Sequence, residues 1–326
     1  MTARTTRRQT PPAKRTGLSP RLRTRSAVAG ALAVTGALLL AGCGDQTDSA
    51  DKGPAKDVDT KAPLYAKLPK EIQDKGAINA GTDAAFKPME YKAGERIAGF
   101  DPDLGAALGK ELGVPVRFSN GTFDGLITSM QSKRYDIVMS SVSDTEDRRK
   151  GLDESGKKVG EGIDFVDYFD AGFSVLVQRS NPQHVKSVDD LCGKKVAVQQ
   201  GTVSHDIVKA QSAKCAKSGK GKIALEPFES DDEVRVRLKG GGVAASVADY
   251  PVAAYAAKSG KDFTVVGDQM QSGPYGIAVD KDNKQLRDAL KAAMDKVIAN
   301  GEYAKLLEKW GLEAGAVKKA QINGGS

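Results

Sequence analysis

This sequence reads as two α/β lobes. Short apolar runs alternate with amphipathic segments, an order that places parallel strands under a layer of helices. The alternation breaks and restarts after Phe165, so it describes two units rather than one. It closes on two helical segments, 283–300 and 302–310, with Gly301 as the break between them. A chain of 326 residues suffices for two lobes of ordinary domain size, each with its own core.

The first 42 residues stand outside this pattern. Eight Lys/Arg and no acid come first, then an apolar run at 27–41. Basic, apolar and small residues in that order make a secretory signal peptide, and the run is short for a spanning helix, which needs about 20 residues. Leu40, Ala41, Gly42 and Cys43 resemble a bacterial lipobox, which implies cleavage before Cys43 and acyl chains, palmitate among them, on that residue. Two chains anchor stably where one does not. The alternatives are an ordinary signal peptide with an incidental cysteine, or an uncleaved anchor. Arg7 and Arg8 suggest twin-arginine export, but Gln9, Thr10 and Pro11 lack the apolar residues that signal requires. Subtracting the eight positive charges of residues 1–42 from the formal +7 leaves −1. A near-neutral mature chain has no footprint for nucleic acid, whose affinity comes from clustered Lys/Arg on phosphate. Residues 43–63 carry the lipidated cysteine and then Asp, Lys, Thr, Gly and Pro with almost no large apolar residue, a composition expected to form a flexible tether. About 25 Å is its r.m.s. reach.

Strands are predicted at 77–82, 114–119 and 136–140. Between them lie helices at 103–112, where Leu104, Ala107, Leu108 and Leu112 share a face, and at 124–132. In the second unit, strands at 174–178, 195–199, 223–227 and 244–248 alternate with helices at 203–215, 231–239 and 251–259. A strand at 276–279 leads into the closing helices. Gly240, Gly241 and Gly242 lack the Lys and Ser/Thr of a phosphate loop and read as a turn. With Cys43 assigned to lipid, Cys192 and Cys215 are an even pair outside the reducing cytosol, so a disulfide is expected, two buried thiols being the alternative.

Several ordered motifs carry more specific information. They are Gly81, Thr82, Asp83 with Phe86 to Met89; Gly99, Phe100, Asp101, Pro102, Asp103; Ser140, Ser141, Val142, Ser143 with Arg148; the stretch 191–201; 244–249; and Gly301, Glu302, Tyr303 with Lys309 and Trp310. Together they resemble family 3 of the bacterial solute-binding proteins, amino-acid receptors of ABC importers, over about 64–310. The resemblance implies a two-lobed, periplasmic-binding-protein-like (type II) α/β fold with a hinge and an interlobe ligand cleft. Its expected lobes are 64–171 plus 271–312, and 172–270, with 313–326 as a C-terminal tail and chain crossings near 170–173 and 266–272.

A free amino acid presents a carboxylate, an ammonium and a side chain, and each needs a counterpart. By resemblance, Arg148 grips the α-carboxylate bidentately, helped by Ser141, Ser143 and Thr202. Asp249 pairs with the ammonium; its alternative is local capping before Pro251, a good first helical residue. Phe86 and Phe123 sandwich the aliphatic part of the ligand, where buried aromatics could equally be plain core. Asp83 faces the ligand side chain, which suits Lys, Arg or ornithine and leaves glutamine open, since a carboxylate also accepts from an amide. Glu90 matches a family position read as structural. Val203 replaces a hydroxyl residue usual after the Gly201 turn, and 154–163 reads as an inserted surface loop.

The implied partners are an amino acid and the membrane permease with its ATPase, for a monomer anchored outside the cytoplasm by lipid. Neither cofactor nor metal is implied, because His184 and His205 are the only histidines and neither has a ligand-spaced partner. The rival from another class is a dehydratase of prephenate-like substrates on the same fold. It would need a positioned acid or base. His205 falls at a helix start near the cleft, where a solvated surface role is expected.

Overall fold

Two long strands, paired antiparallel, run from one half of the molecule into the other. The computed structural model describes residues 57–153 and 156–325; Cys43, the signal peptide and most of the tether lie outside the described residues. In chain order come α1 (Lys70–Lys75), β1 (Ile78–Thr82), a meander of β2 (Ala85–Phe86), β3 (Glu90–Ala93) and β4 (Arg96–Ala98), α2 (Phe100–Leu112), β5 (Val116–Asn120), α3 (Leu126–Gln131), β6 (Ile137–Val138) and α4 (Glu146–Lys150). The first long strand, β7 (Ile163–Gln178), leads to β8 (Lys195–Gln199), α5 (Val203–Lys217), β9 (Ala224–Phe228), α6 (Asp231–Lys239), β10 (Ala245–Asp249) and α7 (Tyr250–Ser259). The second, β11 (Phe263–Asp280), returns to α8 (Lys284–Ala299), α9 (Glu302–Trp310) and β12 (Gln321–Ile322).

The main sheet runs β5-β1-β6-β11-β7-β10-β8-β9, with β12 added on β7. β1 pairs parallel with β5 and β6, and β8 pairs parallel with β9 and β10, as the alternating pattern predicts. The β7/β11 ribbon joins these halves: Ala278 and Val279 pair with β6, whereas Phe173 to Leu176 pair with β10. Its register is irregular between Val266, Met270 and Ser272. Each half has its own core. One gathers Leu104, Leu108 and Leu112 of α2 with Leu290 and Met294 of α8; the other gathers Val175, Val196, Val198, Val208 and Val247.

Local chemistry explains the boundaries. α2 starts three residues before its predicted limit because Gly99 turns the chain at φ +137°, where an added Cβ would lie 2.2 Å from the Met89 carbonyl oxygen. Asp101 and Asp103 then occupy the first turn, where the negative charge of Asp103 complements the helix dipole. At the other end of this lobe, Trp310 Nε1 donates to Asp103 at 2.8 Å and the Tyr303 hydroxyl to the Tyr168 carbonyl at 2.7 Å, so the terminal motif clamps α9 onto α2 and β7.

Two expectations need correction, and the structure adds two features. The strands expected at 174–178 and 276–279 are the ends of strands 16 and 18 residues long, whose middles carry Asp170, Gly172 and Gln269 and so interrupt the apolar signal. The β2-β3-β4 meander was not predicted, because two- to four-residue strands leave too short a pattern. The tether ends before 63: the Asp59 N–H donates to Gly113 O, and Ala62 and Leu64 are buried. Within the stretch expected as a C-terminal tail, Gln321 and Ile322 pair with β7.

Candidate functional site

The C-terminal ends of β1, β6, β8 and β10 converge, and side chains just beyond them line one cleft, where ligands commonly sit in α/β sheets. Asp83, Phe86, Phe123, Ser141, Ser143, Arg148, Thr202 and Asp249 all line it, with Glu90, Gln199 and Val203. A broader groove of about 550 Å³ passes Phe169, Tyr250, Tyr255 and Trp310, but its lining holds no arginine and no buried carboxylate.

Asp83 follows β1, its N–H donating to Ser140 Oγ at 2.9 Å. Its carboxylate accepts from Gln199 Nε2 at 2.5 Å. Burial pushes the Asp83 carboxyl up to about 6 against that hydrogen bond, with Asp231, Asp232 and Asp124 adding repulsion. Ser140 to Ser143 leave β6. Ser141 adopts φ +50°, a conformation costly for a residue with a Cβ, held because its N–H meets Asp101 Oδ2 and the Tyr168 hydroxyl, each at 3.2 Å. Ser140 Oγ and Ser141 Oγ donate to Glu90 at 3.0 and 3.4 Å. Burial, then the neighbouring Asp101, raises the Glu90 carboxyl well above the ordinary range; burial raises Asp101 to about 7. Glu90 is thus a buried brace beneath the serines.

Arg148 projects from α4, which Thr145 caps through the Arg148 N–H at 3.3 Å. Its Nη1 donates to Ser143 O at 2.8 Å and its Nη2 to Gly201 O at 3.0 Å, and the guanidinium carbon lies 5.6 Å from the Phe123 ring centre. Burial lowers its pKa while Asp206, Asp249 and Asp144 oppose that, and a guanidinium stays charged. Gly201 (φ +72°) brings its backbone against Asp124, where a Cβ would meet that residue at 3.0 Å.

Asp249 ends β10 and accepts from the Tyr275 hydroxyl at 2.6 Å. Its side chain does not cap α7, which removes the local-capping alternative. Burial pushes its carboxyl to about 7, Tyr275 pulling it down and Asp231 raising it. Thr202 reaches the cleft, but its hydroxyl donates to Gln199 O at 2.7 Å and accepts from the His205 N–H at 3.2 Å, so it mainly caps α5. Gln199 and Tyr275 were not foreseen. Gln199 sat inside a recognised motif as an ordinary strand residue, and only the approach of the two halves gives it a partner 116 positions away. His205 is buried, 8% exposed, rather than solvated, because it faces inward on the first turn of α5.

Cys192 and Cys215 are joined, with Cα atoms 5.5 Å apart, tying the turn before β8 to the end of α5. Among the described residues, no group of three or more His, Cys, Asp or Glu could hold a metal ion, and no helix is long and apolar enough to cross a membrane.

Comparison with known proteins agrees with this architecture. Residues 78–313 match the profile of bacterial extracellular solute-binding proteins, family 3. The arginine-binding protein ArgT of Corynebacterium glutamicum is 31% identical over 263 residues, covering 80% of this chain and 82% of its own. An ancestral arginine-binding protein, solved bound to arginine and bound to glutamine, is 35% identical at a TM-score of 0.63; the arginine-bound structure covers 72% of this chain and 98% of its own. An ancestral amino acid-binding protein described as a precursor of cyclohexadienyl dehydratase is 36% identical, with a TM-score of 0.64, over 74% of this chain and 97% of its own. The chain belongs to family 3 of the bacterial extracellular solute-binding proteins.

Proposed function

We propose that this protein captures a basic or strongly polar amino acid, arginine foremost, and delivers it to the permease and ATPase of an ABC importer. The observation that carries the reading is one cleft lined by a half-buried guanidinium, Arg148, and two buried carboxyls, Asp249 and Asp83. The Arg148 fork has five N–H donors, of which two are engaged by carbonyls that orient it; the others suit an α-carboxylate. Asp249 suits the α-ammonium. Asp83 already accepts from an amide N–H, the type of donor that a guanidinium or a glutamine side chain offers. The names of the relatives, arginine-binding proteins, support the same ligand class.

In this reading the lobes are 64–171 plus 271–312 and 172–270, hinged at 170–173 and 266–272, where the β11 register is irregular. Hydrogen bonds that cross between them include Asp83 with Gln199, Asp124 with Gln200, Arg148 with Gly201 and Tyr275 with Asp249. A ligand that touches both lobes stabilises the closed form selectively, which is the signal a permease can read. The receptor acts as a monomer outside the cytoplasm, held to the membrane through acyl chains on Cys43. Labelled palmitate incorporated by the wild type and lost in Cys43→Ala is the expected result.

A second reading is a dehydratase of prephenate-like substrates, favoured by the dehydratase precursor among the solved neighbours and by carboxyls near 6 and 7 that could serve as general acids. Calorimetry against a panel of amino acids and prephenate, with mass spectrometry for turnover, separates the two. Stoichiometric binding without turnover is expected; prephenate turnover without a bound amino acid would overturn the receptor reading.

A further inference from the structure

The family profile ends at residue 313, yet the chain continues and folds back onto the first lobe. Gln321 and Ile322 pair with Asp167 and Val166 of β7. Asn323 Oδ1 accepts from the Phe165 N–H at 2.8 Å, and its Nδ2 donates to Asp164 at 3.0 Å. The Gly324 N–H then donates to Asp167 at 2.8 Å and the Gly325 N–H to Asp144 at 2.9 Å. Arg149 closes the circuit, its Nη1 donating to Asp144 Oδ1 at 2.7 Å and to Gly325 O at 2.9 Å.

Arg149 is the neighbour of Arg148 on α4, a helix of five residues. So short a helix has no stability of its own and is held by what it touches. Its other ties include the Thr145 cap, the Asp144 N–H on Pro274 O, Lys281 Nζ on Arg149 O, Lys158 Nζ on Lys150 O and the Arg148 fork itself. We infer that residues 321–325 form a strap that holds α4, and with it the Arg148 guanidinium, in register with the cleft. Arg149 is then a positioning residue: it touches no ligand and acts by fixing its neighbour. The strap also supplies two backbone donors, one each to the carboxyls of Asp144 and Asp167, and repulsion from Asp144 helps raise Asp167. The effect on ligand affinity rests on the reading of Arg148 as the carboxylate grip.

Gly325 offers a narrow test. A Cβ there would lie 2.0 Å from the Asp144 carbonyl oxygen, so Gly325→Ala displaces the end of the strap without shortening the chain. Hydrogen exchange of the ligand-free full chain, read by mass spectrometry, is expected to quicken in peptides spanning 144–153 and to stay unchanged in β1, β5 and the second lobe. Calorimetry with L-arginine should show affinity falling about tenfold, as for one or two lost hydrogen bonds. Unchanged exchange at 144–153 would overturn the inference, as would faster exchange spread through the lobe or unchanged arginine affinity. If Gly325→Ala fails to fold, Arg149→Lys keeps the charge beside Asp144 while giving up the fork, and is measured in the same way. Wild-type protein that binds neither L-arginine nor L-glutamine would overturn the receptor reading instead, while the exchange comparison still decides whether the strap holds α4.

Discussion

Arg148 combines a fixed charge with a fixed position, since two backbone carbonyls and an aromatic face constrain its fork. Arg148→Ala should therefore weaken amino-acid binding by about 100-fold or more, the cost of losing a bidentate, charge-assisted contact. The fold should survive, which far-UV circular dichroism with calorimetry would check. The acids of the cleft behave differently, because burial raises Asp83 to about 6 and Asp249 to about 7. A cationic ligand favours their ionised forms, so binding at pH 6 should release protons. Affinity should then rise from pH 5 to pH 8, and the apparent binding enthalpy at pH 6 should change with the ionisation enthalpy of the buffer. An affinity flat across that range would remove both acids from ligand contact. Arg148, Asp249 and Asp83 were legible as candidates because the family resemblance assigns those positions to the ligand; Gln199 lay in a motif too but read as a plain strand residue, because its partner is on the other lobe.

Among the elements, the helices were legible because their caps and faces are local. The helices predicted at 231–239 and 302–310 match α6 and α9, the first bounded by a reciprocal cap between Ser230 and Glu233, the second by Gly301 and Gly311, both left-handed. The Cys192–Cys215 bridge fastens the C-terminal end of α5 to the core of the second lobe, where Cys215 is buried among Val196, Val208 and Ile223. A double Cys192→Ser, Cys215→Ser variant should lose about 3 kcal/mol in denaturant unfolding, as expected for a loop of this size. Arginine binding under native conditions should persist, since neither cysteine lines the cleft. A variant equal to the wild type in stability would show that the bridge contributes nothing beyond packing.

For the whole molecule, several buried carboxyls set the dependence of stability on pH. Asp101, Asp167 and Asp249 are raised to about 7 and Asp83 to about 6, chiefly by burial, against about 3.9 in an unfolded chain. The stability each contributes is complete below the unfolded value and is lost as pH rises through the folded value. The ligand-free protein should therefore melt at a lower temperature at pH 8 than at pH 5, with most of the change between pH 5 and pH 7. Glu146, Asp189 and Glu226 are lowered and act in the opposite direction, but they are open to solvent and screened. A melting temperature that rises from pH 5 to pH 8 would contradict the burial of these acids.

Periodicity was enough to order the strands and helices of two α/β units, and the ordered motifs were enough to point to the family. Those signals are local: a helix face or a strand alternation is written within ten or so neighbouring residues. The tertiary structure alone decided that two strands span both lobes, that Gln199 meets Asp83 across the cleft, and that Gly325 returns to Arg149 from 176 positions away. Such pairings depend on how the sheet closes and on which buried polar groups need a partner once water is excluded, and no run of adjacent residues encodes that.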